Sequence, residues 1–123
     1  MTANDAIDRK AIEEMLESTG GDPEFVVEII DDYLADTLMR FDELSSALSA
    51  NDSAAAKLAA HSVKGSSRSF GALRLSNLAA GLEKLSLESK LETIGEQLPE
   101  LRSELERVTD ALRAEQSRLR EAV

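Results

Sequence analysis

The chain has 123 residues, 42% of them hydrophobic and 31% charged, which suits one domain with a single core and excludes disorder over most of its length. It contains no cysteine, so disulfides and thiolate metal sites are excluded. Its net charge of −10 argues against a general nucleic-acid binder or a protein that binds anionic membranes, since both depend on positive charge.

The first residues, Met1 to Asp5, show neither the basic region nor the apolar stretch of a signal peptide. No apolar run approaches the ~20 residues of a spanning helix, and the expected location is the cytoplasm. Only Phe25, Tyr33, Phe41 and Phe70 are aromatic. The core must therefore be aliphatic, which suits helix-on-helix packing.

The spacing predicts a first short helix over about 5–18, with Ile7, Ala11, Ile12 and Met15 on one face. A break at Thr19 to Pro23 follows. Asp22 is placed to cap a second helix, and Pro23 sits at its first position, where a missing N–H costs nothing. Val26, Ile30, Tyr33, Leu34, Leu38, Phe41, Leu44 and Leu48 then form a stripe of helical period that ends before Asn51. Asp52 or Ser53 caps a third helix running to about Phe70, and Gly71 stops it. Leu75, Leu78, Ala79, Leu82 and Leu85 mark a fourth. Ile94, Leu98, Leu101, Leu105, Val108 and Leu112 mark a fifth, in which Pro99 predicts a kink or a fresh start. No strand alternation and no internal repeat is visible.

These elements predict an all-α fold: an up-down-up-down antiparallel four-helix bundle with an extra short N-terminal helix across one end. The whole of residues 1–123 is read as one domain, with a core over about 7–112. Residues 113–123 form a charged C-terminal helix extension expected to project past the bundle and fray. The bundle is expected to be complete as a monomer.

The third helix carries the chemistry. Wound at about 100° per residue, one side collects Ala55, Ala59, Val63, Ser66 and Phe70, flanked by Ser62. These small or apolar residues are the expected core face, and their size lets a neighbouring helix approach closely. The opposite side collects Lys57, His61, Lys64, Gly65 and Arg68, so the single histidine is predicted to be exposed. In a chain of charge −10 this face holds three cations and no carboxylate.

Each of these residue types has a chemical use. Neutral imidazole is a nucleophile, and neighbouring cations favour that neutral form. After transfer, the same cations would balance a phosphoryl group. A mid-helix glycine costs roughly 1 kcal/mol relative to alanine. One turn beyond His61, the missing side chain lets a partner's active site close over the imidazole. Taken singly, a surface histidine, a solvated basic face and a closely packed glycine are all ordinary. The three share one face at consecutive-turn spacing.

The run Ala60-His61-Ser62-Val63-Lys64-Gly65-Ser66-Ser67, followed by Phe70-Gly71-Ala72, resembles the signature of histidine-containing phosphotransfer (HPt) domains. Leu78-Ala79-x-x-Leu82-Glu83 is similar to the family's fourth helix, and Gly20-Gly21-Asp22-Pro23-Glu24 with the helix after it to its second. The resemblance covers about residues 7 to 110. It implies that His61 is the phosphorylated nucleophile, attacking through Nε2, that Lys64 helps hold the phosphoryl group, and that Gly65 leaves room for the receiver. It further implies a phosphoryl carrier without autonomous kinase activity. Such a carrier accepts phosphate from a receiver aspartate or a kinase and passes it to another response-regulator receiver domain. A sensor or hybrid histidine kinase stands upstream. No cofactor is expected on this chain, because magnesium belongs to the receiver's acidic pocket.

Many family members have alanine and asparagine where this chain has Arg68 and Ser69. Arg68 lies one turn beyond Lys64 on the His61 face and is expected to add charge complementarity to an acidic receiver. Lys57, Ser62 and Lys84 are candidate docking residues. The residue orienting His61 through its other ring nitrogen is not singled out, and Glu83 and Lys84 are the candidates.

Rival chemistries find little support. One histidine without cysteine cannot build a typical zinc site, and no metal site is expected. The residues before His61 read Leu58-Ala59-Ala60, which excludes the Glu-x-x-His motif of di-iron bundles. Gly20-Gly21 lacks the rest of a phosphate-binding loop, and Ser66 and Ser67 lack an acid–base partner set. The standing alternative is a non-phosphorylated helical adaptor that binds a receiver or kinase through its basic face. A further variant is the phosphotransfer module of a chemotaxis-type kinase.

Overall fold

Three of the helix starts are written by aspartates. In the computed structural model, which describes residues 5–121, Asp8 caps α1 (Arg9–Ser18), its side chain accepting from the Lys10 amide. Asp22 caps α2 (Pro23–Ser49) by accepting from the amides of Glu24 and Phe25, and Asp52 caps α3 (Ser53–Ser69) by accepting from Ala55. Each such cap is worth about 1 kcal/mol. α4 (Leu73–Leu87) has no side-chain cap, and α5 (Leu91–Glu121) completes the order. No strand occurs among the described residues.

α2 packs on α3 and α5, α4 packs on the same two helices, and α1 lies against α2. The pairings run in opposite directions along α3 and α4: Ser53 meets Ser89, His61 meets Glu83, and the Lys64 carbonyl meets Ser76. The same holds for α2 and α5, where the Val27 carbonyl meets Gln116 and Ser45 meets Arg102. One mainly aliphatic core results, with Val26, Ile30, Leu44, Leu75, Leu82, Ile94, Val108 and Leu112 buried together with Tyr33, Phe41 and Phe70.

The turn from α3 to α4 is fixed by Gly71, at φ 72°. A Cβ here would stand 2.8 Å and 2.9 Å from backbone atoms of Asp8. The Asp8 amide in turn donates to the Gly71 carbonyl at 2.9 Å. Only glycine combines this conformation with this close approach, and the contact seats the start of α1 on the turn that ends the histidine helix.

Several expectations are corrected. α1 begins at Arg9 rather than near residue 5, although Ile7 still packs against the core. Leu38 is 59% exposed and Thr37 is buried in its place, its hydroxyl satisfied by the Tyr33 carbonyl. The core face of α3 is Ala56, Ala59, Ala60, Val63 and Ser67, with Ala55 and Ser66 only half-buried. Ser67 is inside because it bonds the Tyr33 hydroxyl of α2 at 2.7 Å, and on the other side of the helix pair the Ser76 hydroxyl of α4 donates to the Lys64 carbonyl at 2.8 Å. Pro99 neither breaks nor restarts α5. Pro99 and Gly95, whose carbonyl loses its donor, are both exposed, so that carbonyl can be hydrated.

The largest correction concerns the C-terminal segment. Residues 113–121 do not project past the bundle: Glu115, Gln116 and Leu119 are buried. Gln116 Nε2 donates to the Val27 carbonyl and to Asp31, while Arg113 donates to Gln116 and Asp31. Glu115 accepts from Arg9 and Arg118. These bonds satisfy the buried polar groups, and Leu119 contributes about 1.5–3 kcal/mol of burial. Residues 122–123, the rest of that expectation, lie outside the described residues, as do residues 1–4.

Candidate functional site

His61 sits in the middle of α3 with its side chain 61% exposed. A ring this open to solvent leaves a second reactant to enclose it. The chain's return at the Gly71 turn brings α4 alongside, and with it Glu83. The Glu83 carboxylate reaches back across the helix pair: Oε2 lies 2.8 Å from His61 Nδ1, and Oε1 accepts from Lys64 Nζ at 2.7 Å. Glu83 is 15% exposed and Lys64 29%, so the lysine and the carboxylate are largely withdrawn from solvent while the ring is not.

The hydrogen bond from Lys64 holds the Glu83 carboxyl below its ordinary value, outweighing the effect of burial, and His61 adds to the lowering. The carboxylate is therefore ionised and can only accept. Nδ1 must carry the proton toward it, and the neutral ring then keeps its lone pair on Nε2. The exposed edge of the imidazole is the nucleophilic one.

Gly65 is exposed, and a Cβ built on it would meet nothing within 4 Å. Close packing inside the molecule therefore does not explain this glycine. The open space lies on the outer face, one turn beyond His61. Arg68 is exposed on the same side, Lys57 and Ser62 are half-buried, and Lys84 is exposed on α4. No ion pair among the described residues involves Lys57, Arg68 or Lys84.

One point differs from the sequence expectation, and one that it left open is decided. The basic face was expected to be free of carboxylates, which is true of α3 alone, but the fold inserts Glu83 from α4. Of the two candidates for orienting His61, Glu83 makes the contact, and Lys84 faces solvent. Register was the available signal. Gly71 lies ten residues after His61 and twelve before Glu83, so folding α3 back on α4 at this turn brings the two to one level. Ser76, which bonds the Lys64 carbonyl, was not anticipated. Among the described residues no group of three or more histidine, aspartate or glutamate side chains is placed to hold a metal ion.

A solvent-facing histidine on a helical bundle, anchored through one nitrogen and open at the other, is the device of a phosphoryl carrier. Residues 28–114 match the family model of the Hpt domain, and the chain belongs to that family. Membership gives it a histidine phosphotransfer role in phosphorelays, as a phosphocarrier rather than a kinase, in a family whose members interact with receiver domains and histidine kinases. In fold it is similar to the crystal structure of histidine-containing phosphotransfer protein B from Pseudomonas aeruginosa PAO1. The TM-score is 0.84 at 24% identity, over 91% of this chain and 95% of that one. No curated protein matches the chain. No helix among the described residues is long and apolar enough to cross a membrane.

Proposed function

We propose that this protein is a phosphorelay intermediate that accepts a phosphoryl group on Nε2 of His61 from a receiver aspartate, or from a kinase, and passes it to another response-regulator receiver. One observation carries the reading: Nδ1 is anchored on an ionised, largely buried glutamate while the Nε2 edge is exposed beside the open space at Gly65.

In the forward step the Nε2 lone pair attacks phosphorus. The N–P bond forms as the P–O bond to the receiver aspartate breaks, and the electron pair returns to that carboxylate. Nδ1 keeps its proton, and Glu83 offsets the positive charge that develops on the ring. Transfer onward is the reverse, with a different aspartate as acceptor. Lys64 and Arg68 balance the phosphoryl charge, Gly65 gives the receiver access, and Lys57, Ser62 and Lys84 contribute to docking. The chain needs no cofactor or metal of its own, magnesium being held by the receiver, whose pocket supplies most of the catalysis.

The alternating directions of α2 to α5 support reading them as the up-down-up-down antiparallel bundle, with α1 as an extra short helix. We read the chain as a single-domain monomer acting in the cytoplasm, binding neither nucleic acid nor membrane.

The test is phosphotransfer from a panel of radiolabelled, phosphorylated receiver domains to the wild type and to His61→Gln. Label on the wild type alone, stable in base and lost in acid, is expected. Receivers that bind without labelling the chain would favour the adaptor reading instead.

A further inference from the structure

Lys64 is the residue assigned to hold the phosphoryl group, yet its ammonium already donates to a carboxylate. Nζ lies 2.7 Å from Glu83 Oε1, on the carboxylate whose other oxygen lies 2.8 Å from Nδ1. Lys64 is thus docked on the Nδ1 side of the ring, whereas a phosphoryl group forms on Nε2. The pairing is no loose surface contact. The carboxylate is 15% exposed and the lysine 29%, and the Ser76 hydroxyl clamps the Lys64 carbonyl at 2.8 Å, which fixes the helix on which this side chain swings.

We infer that Lys64 is exchanged between Glu83 and the phosphoryl group of His61, and that Glu83, as the competing anion, sets how much phosphoryl group His61 holds at equilibrium with a receiver. This deepens the phosphorelay reading above and rests on it. Before transfer, Glu83 serves the Nδ1 N–H and one ammonium. When the N–P bond forms and the P–O bond breaks, a group carrying about two negative charges appears on the Nε2 side. The ring, still protonated at Nδ1, becomes cationic. Glu83 then has a charge-assisted partner in the ring itself, and Lys64 has a more highly charged anion beyond it. Both changes draw Lys64 off Glu83. Each forward transfer breaks the Lys64–Glu83 contact and each onward transfer restores it, so His61 does not become a sink from which the phosphoryl group cannot leave. Glu83 acts here through Lys64, as a positioning residue. A neutral amide at position 83 would still accept from Nδ1 but would not retain the lysine.

The experiment measures the equilibrium share of label between one receiver and the chain for the wild type, Glu83→Gln, Lys64→Ala and the double variant. In parallel, the wild type is phosphorylated with the small donor phosphoramidate, which needs no receiver, and the Lys64 Nζ resonance is followed by NMR. Glu83→Gln also removes the charge that offsets the cationic ring, so the exchange is read in the double-mutant cycle: the ratio of the shares on His61, Glu83→Gln over Glu83, should be about tenfold larger with Lys64 present than in the Lys64→Ala background. It further predicts that the Nζ resonance shifts on phosphorylation. Equal ratios with and without Lys64, a smaller ratio with Lys64 present, or an Nζ resonance that does not move would each overturn it. If no receiver labels the wild type but phosphoramidate shifts the Lys64 signal, the receiver reading fails and the exchange stands. If phosphoramidate leaves His61 unmodified, both fail.

Discussion

His61 Nδ1 and Glu83 Oε2 lie 2.8 Å apart although the two residues are separated by 22 positions and sit on different helices. The contact joins the two elements that pack most extensively in the molecule, α3 and α4, and it decides which edge of the imidazole faces outward. Because Lys64 first and His61 second lower the Glu83 carboxyl from its ordinary 4.5, the linkage has a definite sign. The stability this group lends is fully present above the ordinary value and is lost as pH falls through the lowered one. Titration of the Glu83 carboxyl carbon by NMR should show its midpoint below 4.5. Lys64→Ala should move that midpoint up further than His61→Gln does.

Gly65 separates stability from function. A Cβ at this position meets open space, so Gly65→Ala should stabilise α3 by about 0.5–1 kcal/mol while slowing transfer from a phosphorylated receiver. Chemical denaturation and transfer rates on the same preparation test both halves. A variant that is more stable and equally fast would remove the access role.

Arg68 stands exposed on the His61 face of a chain with net charge −10. An exposed cation near an acidic partner pocket steers encounter, and salt screens that effect. Arg68→Ala should therefore slow transfer severalfold at low ionic strength and little at high, in a salt series of transfer rates. A salt-independent change, or none, would contradict this role.

The end of α5 is structural. Leu119 is 1% exposed, and Gln116 is bonded to the Val27 carbonyl and to Asp31. Leu119→Ala should cost about 2–4 kcal/mol in a denaturant series, whereas removal of a solvated tail would cost nothing measurable.

Much of this fold is legible in the sequence because its signals are local. The aspartate caps at 22 and 52, the Pro23 start and the leucine stripes all act within one helix. The exposed histidine face is legible for the same reason, since Lys57, His61, Gly65 and Arg68 share a face by helical geometry alone. What escaped depends on partners brought from elsewhere. Glu115 and Gln116 look like surface residues until Arg9 and the Val27 carbonyl are supplied. Thr37 replaces Leu38 in the core because the Tyr33 carbonyl takes its hydroxyl. Glu83 is one of two adjacent candidates in the sequence, with Lys84, and it is the register across the Gly71 turn that decides for Glu83.

The most direct test of the central claim is a nitrogen–phosphorus correlation NMR experiment on the isotopically labelled chain after incubation with a phosphorylated receiver domain. A phosphorus coupled to Nε2 of His61, with Nδ1 still protonated against Glu83, is the predicted result. Phosphorus on Nδ1, on another residue, or nowhere on the chain would contradict the account.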